Sequence, residues 1–237
     1  MPSRWWHALL LAGTTAVLVN AGPAVAGEAE WKAQIGLANQ NLQRGNLQQA
    51  ELSAREAVAE AARSFAPGHR AADQSHATLG LVLRLAQRYP EAEKEFRGAL
   101  VLREKALGPR DPAVAILLNN LADVVQAQKK YAEAEQLHRR VLAIFEKNYG
   151  DDPRTAASLN NLGAALHAQD RNVEAEPVLR RALAIKEKTL GPDNASVAHT
   201  LNNLAQVLEA LDRKPEADRL MQRAALIRRG KSSATSR

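Results

Sequence analysis

The sequence predicts an all-α fold, a right-handed α-solenoid of about five helix-turn-helix pairs. Three observations point to it. The chain of 237 residues is rich in Ala, Leu, Glu, Gln and Arg, and only 4% of it is aromatic. Such a composition favours helices, with small side chains letting them pack closely. Three separate sequence markers return every 41–42 residues along the chain. Each period reads as two amphipathic helices joined by a short turn. One such pair cannot bury its apolar face alone, whereas stacked pairs bury it on each other.

The first marker is an asparagine pair: "LNNLA" at 118–122, "LNNLG" at 159–163 and "LNNLA" at 201–205. The second is "YPEAEKEF" at 89–96, "YAEAEQLH" at 131–138, "NVEAEPVL" at 172–179 and "KPEADRLM" at 214–221. The third is "LGPRDP" at 107–112, "YGDDP" at 149–153 and "LGPDN" at 190–194. A weaker first copy, "QRGNLQQAELSAREAV" at 43–58, sets Ala50 beside Ala92, Ala134, Ala175 and Ala217.

Residues 1–26 read as a signal peptide. Arg4 gives a positive start, "ALLLAGTTAVLV" runs from Ala8 to Val19, and Ala24-Val25-Ala26 fits a peptidase site before Gly27. Gly22 and Pro23 are helix breakers. The apolar stretch is shorter than the ~20 residues that span a bilayer. Cleavage is therefore expected rather than a retained anchor, and the mature protein is expected to be periplasmic or secreted, with no stable membrane insertion. The solenoid then occupies 27–229, with repeats at about 31–68, 71–108, 112–150, 153–191 and 195–229. In the third repeat, helix A is expected from Pro112 to Gln128, the bend at Lys129-Lys130, and helix B from Ala132 to Asn148. Asp111-Pro112 and Asp152-Pro153 read as N-cap and first helical residue. Pro90 and Pro215 open helices B in the same way. Gly150 can end its helix in a left-handed cap. Pro177 sits a turn inside its helix and predicts a small local distortion. Residues 230–237 are expected to be a basic, disordered tail.

The chain resembles the tetratricopeptide repeat (TPR) family over about residues 31–229. The family's helix A pattern, a large residue, then Leu-Gly, then another large residue, matches "HATLGLVL" at 76–83 and "LNNLGAAL" at 159–166. Its helix B pattern matches Ala92, Phe96 and Ala99, and again Ala175, Leu179 and Ala182. The small residues Gly80, Ala122, Gly163 and Ala205 let the two helices lie close. The long unit and the "LGPxDP" turn are similar to the kinesin-light-chain-like subgroup. The resemblance implies a concave face lined by helices A, with helices B outside. The first two repeats depart from it, having Ile35-Gly36 and Ala77-Thr78 in place of the asparagine pair.

Asn inside a helix costs up to ~0.7 kcal/mol against Ala, so three pairs need a reason. At about 100° per residue, with Leu118 as origin, Leu121, Ala122 and Val125 fall within about 60° of it, while Asn119, Asp123, Ile116 and Asn120 fall at about 100–200°. The asparagines therefore leave the packed face. They either bond neighbouring helices or line the concave wall. The resemblance implies that the second Asn of each pair, at Asn120, Asn161 and Asn203, bonds the backbone of an extended peptide. A primary amide can do this because it donates and accepts at once. The expected binding residues are Asn119, Asn120, Asp123, Asn160, Asn161, His167, Asn202, Asn203 and Gln206. Arg84, Gln126, His199 and Glu209 complete a nearly neutral wall. The family's basic clamp for a terminal carboxylate is not expected, since Arg84 alone is placed for it.

Other functions fit poorly. There is no cysteine, which excludes disulfides, thiolate metal sites, catalytic thiols and a lipidated N-terminal Cys. The chain carries a net charge of +6. Yet Glu93–Arg97, Glu135–Arg139 and Glu176–Arg180 read as solvated i,i+4 pairs, and stacking aromatics for nucleic acid are lacking. The basic end, with Arg219, Arg223, Arg228, Arg229, Lys231 and Arg237, reads as a polar cap and tail, or as a contact for an acidic partner or an anionic membrane. HExxH, Walker and nucleophile-elbow motifs are absent, so neither an enzyme, a cofactor nor a metal site is expected. The expected function is an exported scaffold binding a peptide or protein. The alternative is an assembly module that stacks on itself or on one fixed partner.

Overall fold

The computed structural model describes residues 23–234, and all regular structure among them is helical. The helices are α1 (Pro23–Gln43), α2 (Leu47–Ser64), α3 (Arg70–Leu85), α4 (Tyr89–Leu107), α5 (Pro112–Ala127), α6 (Tyr131–Tyr149), α7 (Pro153–His167), α8 (Asn172–Leu190), α9 (Ala195–Ala210) and α10 (Lys214–Ala234). Odd-numbered members are the A helices of five pairs and even-numbered members are the B helices. Each helix packs chiefly on the one before it and the one after. The signal-peptide core lies outside the described residues. Ala24, Val25 and Ala26 form the first turn of α1 behind Pro23, where a missing N–H costs nothing.

The helix ends follow from the sequence with three differences, the first being that α4 and α10 begin one residue before Pro90 and Pro215. Asp111, Asp152 and Asn194 each accept the backbone N–H two residues on, at 2.7, 2.9 and 2.9 Å. At the A-to-B turn, the Lys130 N–H reaches the Val125 carbonyl and the Lys129 N–H that of Gln126, at 3.0 and 2.8 Å. This is the Schellman pattern, and it holds Lys129 at φ 62°. Gly150 does not form the expected left-handed cap. Its φ is 62° but its ψ is −137°, because the chain must pass at once into the extended Asp152. Glycine adopts that conformation far more readily than other residues. The tail also differs: α10 continues to Ala234, so residues 230–234 are helical. Extending an existing helix is cheap once it is nucleated, even across Gly230. α8 runs unbroken through Pro177.

Inside each pair the small residue of helix A receives a large one from helix B. A Cβ placed on Gly80 would lie 3.0 Å from the Phe96 ring, and one on Gly163 would lie 2.5 Å from Leu179 Cγ. By register, Ala122 faces His138 and Ala205 faces Met221. Ala50, Ala92, Ala134, Ala175 and Ala217 are all fully buried. The divergent first pair is fastened by Trp31, whose indole Nε1–H donates to Ser75 Oγ of α3 at 2.8 Å.

The i,i+4 ion pairs are not simply solvated faces. Glu51, Glu93, Glu135 and Glu176 have side chains only 10–20% exposed, because each also reaches the turn of the following repeat. Their partners there are Arg88, Lys130, Arg171 and Arg213, at 2.7, 2.7, 2.5 and 2.7 Å. A second ladder joins Arg140 to Glu104, Arg181 to Glu146 and Arg223 to Glu187, each at 2.5 Å. A third joins Arg55 to Glu91, Arg97 to Glu133 and Arg180 to Glu216. The i,i+4 spacing was legible in sequence. The link across repeats was not, since it spans 35–37 residues.

Candidate binding surface on the A-helix side

Backbone contacts between successive A helices join α1 to α3, α3 to α5 and α7 to α9, whereas successive B helices come less close. The A side is therefore the inner side of the stack. Along α5 its exposed line runs Ile116, Asn120, Asp123 and Ala127, spaced four, three and four residues. The same line on α7 is Ala157, Asn161, Ala164 and Ala168, and on α9 it is His199, Asn203, Gln206 and Ala210.

The two asparagines of each pair have different surroundings. The first turns between helices. Asn160 is 3% exposed and its Oδ1 accepts the Asn203 Nδ2–H at 3.1 Å. Asn119 is partly buried, and its Oδ1 is enclosed without a partner. Asn202, in α9, is partly buried. The second asparagine lies on the exposed line. Asn120 and Asn161 are partly exposed, and their side chains make no hydrogen bond among the described residues. Asn203 lies on the same line and bonds inward to Asn160 as well.

Asp123 is exposed and stands 3.7 Å from Arg84 of α3. Gln206 is exposed. His167 is turned away from the others: its Nδ1 lies 2.6 Å from Asn172 Oδ1 at the start of α8. His199 is exposed at the start of the α9 line, and burial, Lys186 and Arg228 lower its pKa. The wall is also less polar than its titratable residues suggest. Ile116 is 57% exposed and Leu85 is 46% exposed. The helical wheel already placed Ile116 on this face, and its period was the signal that could have found Leu85.

Among the described residues no three His, Asp or Glu side chains converge as metal ligands. A hollow of about 380 Å³ lies elsewhere, over Pro109, Arg110, Arg140, Ala143, Ile144 and Lys147, and its lining holds no carboxylate or imidazole. No described helix is long and apolar enough to cross a membrane.

Residues 73–147 and 154–229 match the family model for the tetratricopeptide repeat. Among solved structures the chain is similar to TPR-like repeats of a candidate kinesin light chain from Podosopora anserina. That likeness has a TM-score of 0.76 and 25% identity, over 88% of this chain and 97% of that one. BtubC (BKLC) from P. vanneervenii shares the fold with a TM-score of 0.74 and 21% identity, over 89% and 91% of the two chains. Pseudomonas aeruginosa pilF shares it with a TM-score of 0.62 and 23% identity, over 85% and 78%. No curated protein matches the sequence.

Proposed function

The chain belongs to the tetratricopeptide repeat family, and from that premise we propose that it is an exported scaffold holding an extended partner segment on its concave face. The repeat fold is typical of protein–protein interaction, and members of the family are generally non-catalytic. The observation that carries the binding reading is the line of Asn120, Asn161 and Asn203 on three successive A helices. In two of them the side-chain amide has no hydrogen-bond partner among the described residues. Amides left free at repeat spacing can bond a main chain that runs across the helices. Ile116 and Leu85 add apolar footholds for its side chains.

Asn120 and Asn161 allow a clean test. Changing both to Ala removes no internal hydrogen bond, so the melting temperature is expected to stay the same or rise slightly. Peptides selected from a displayed random library on the wild-type protein are expected to bind the double variant several-fold to about a hundredfold more weakly, at ~0.5–1.5 kcal/mol per lost bond. Equal affinity for both proteins would remove the amides from the binding role. Asn203→Ala differs, because it strands the buried Asn160 oxygen and is expected to lower stability by ~1–3 kcal/mol.

Export rests on Arg4, the apolar stretch from Ala8 to Val19 and Ala24-Val25-Ala26. N-terminal sequencing of the protein from its producing cells is expected to begin at Gly27. An intact Met1 or Pro2 end would show that the leader is retained.

A further inference from the structure

The repeats meet through recurring side-chain positions, filled by an Arg–Glu pair of the second ladder at three of the four joints and by Ala62 and Gly98 at the first, so the two ends of the stack can be compared with the internal joints. In the second ladder, the tenth residue of a B helix is Arg140, Arg181 or Arg223, and it pairs back to the sixteenth residue of the preceding B helix, Glu104, Glu146 or Glu187. In α10 the sixteenth residue is Arg229, and in α2 the tenth is Glu56. Both are exposed and make no ion pair among the described residues. The end positions thus carry the same pair with its charges exchanged.

The other joint positions agree. Internally, Glu93, Glu135 and Glu176 reach forward to a basic residue just before the next B helix. At the ends these positions hold Asp218 and Asn46, an acceptor facing a donor. Internally, Arg97 and Arg180 meet Glu133 and Glu216. At the ends these positions hold Gln222 and Gln49, two amides that can bond each other. The apolar contact is also left open at both ends. Met221 is 40% exposed, whereas its counterparts Phe96, His138 and Leu179 are at most 1% exposed. Leu37 is 45% exposed, whereas its counterparts Leu79, Leu121, Leu162 and Leu204 are at most 2% exposed.

We propose that the C-terminal face of α10 docks on the α1–α2 face of a second copy of this chain, continuing the repeat register from one molecule into the next. The interface is heterologous, so it builds an open chain or a closed ring rather than a two-fold dimer. The proposal is independent of the concave-face reading, since the ends and the groove are separate surfaces. A partner bearing some other acidic surface is less favoured, because Gln222, Asp218 and Met221 each have their own complement on α1–α2.

Sedimentation of the protein as its cells produce it decides the matter. The wild type is expected to gain mass with concentration from the micromolar range upward, and to lose it in high salt. Arg229→Glu alone and Glu56→Arg alone each set like charges together and are expected to weaken association by about tenfold or more. Both side chains are exposed, so circular dichroism and melting should be unchanged. An equimolar mixture of the two single variants is expected to assemble again, because each then presents the charge the other needs. The double variant should assemble by itself. A wild type that stays monomeric at every concentration overturns the proposal. So does association that neither reversal weakens, or two weakened variants whose mixture gains no mass.

Discussion

His138→Met is expected to stabilise the protein by about 1–3 kcal/mol at pH 7 and to remove its first acid-sensitive transition. His138 occupies the B-helix position filled by Phe96 and Leu179 in neighbouring repeats. It is 1% exposed and its Nδ1 has no partner. Burial pushes the imidazole pKa down to about 4. The unfolded chain binds a proton near pH 6.5, so between pH 6.5 and 4 it holds more protons than the folded chain. Stability must therefore fall as pH falls through that window, by about 3 kcal/mol in all for one group. Methionine is the replacement of choice because Ala122 lies opposite, just as Ala205 lies opposite Met221. Melting curves at pH 7, 5 and 4 check this. The wild type should lose most of that stability by pH 4 and the variant little of it. Parallel losses would show that the histidine is solvated or paired in the folded protein.

The second large effect lies at lower pH and comes from the glutamates that tie repeat to repeat. Burial by itself pushes the Glu93 carboxyl up, but hydrogen bonds from Lys130, Arg97 and Gln128 outweigh it and hold it at about 2. Glu51, Glu135 and Glu176 are lowered by the same balance. Groups of this sign stabilise above their unfolded pKa, near 4.3, and lose that contribution as pH falls toward 2. Changing all four to Gln keeps shape but removes the joint's counter-charge from Lys130 and one of two carboxylate partners from Arg88, Arg171 and Arg213, which keep Glu91, Glu174 and Glu216. The combined cost is expected to be about 2–4 kcal/mol at pH 7, from ~0.5–1 kcal/mol per site. The difference from wild type should shrink toward pH 2 and in molar salt. Urea titrations at pH 7, 4 and 2.5 measure it. A difference that stays constant from pH 7 to 2.5 would mean that packing, not charge, joins the repeats there.

The sequence by itself determined the helical class, the period, the order of A and B helices and most of their ends. These depend on near neighbours: i,i+3 and i,i+4 apolar spacing, an Asp-Pro cap, a glycine after the last turn. It also placed Asn120, Asn161 and Asn203 off the packed face, because a helical wheel needs only the chain's own geometry. The tertiary structure decided whatever depends on a residue about forty positions away. It separated the two asparagines of each pair, sending Asn160 between helices to accept from Asn203 while the Asn120 and Asn161 side chains make no hydrogen bond among the described residues. It turned His167 toward Asn172, which the wheel could not foresee because the rotamer answers to the start of the next helix. It converted Glu93–Arg97 and its relatives from surface pairs into joints. It also left Met221 and Leu37 uncovered, although in sequence they look like their buried counterparts. A side chain's angle on its helix is a local property, whereas its cover is supplied by a neighbouring repeat, and for Met221 and Leu37 no described residue supplies it in full.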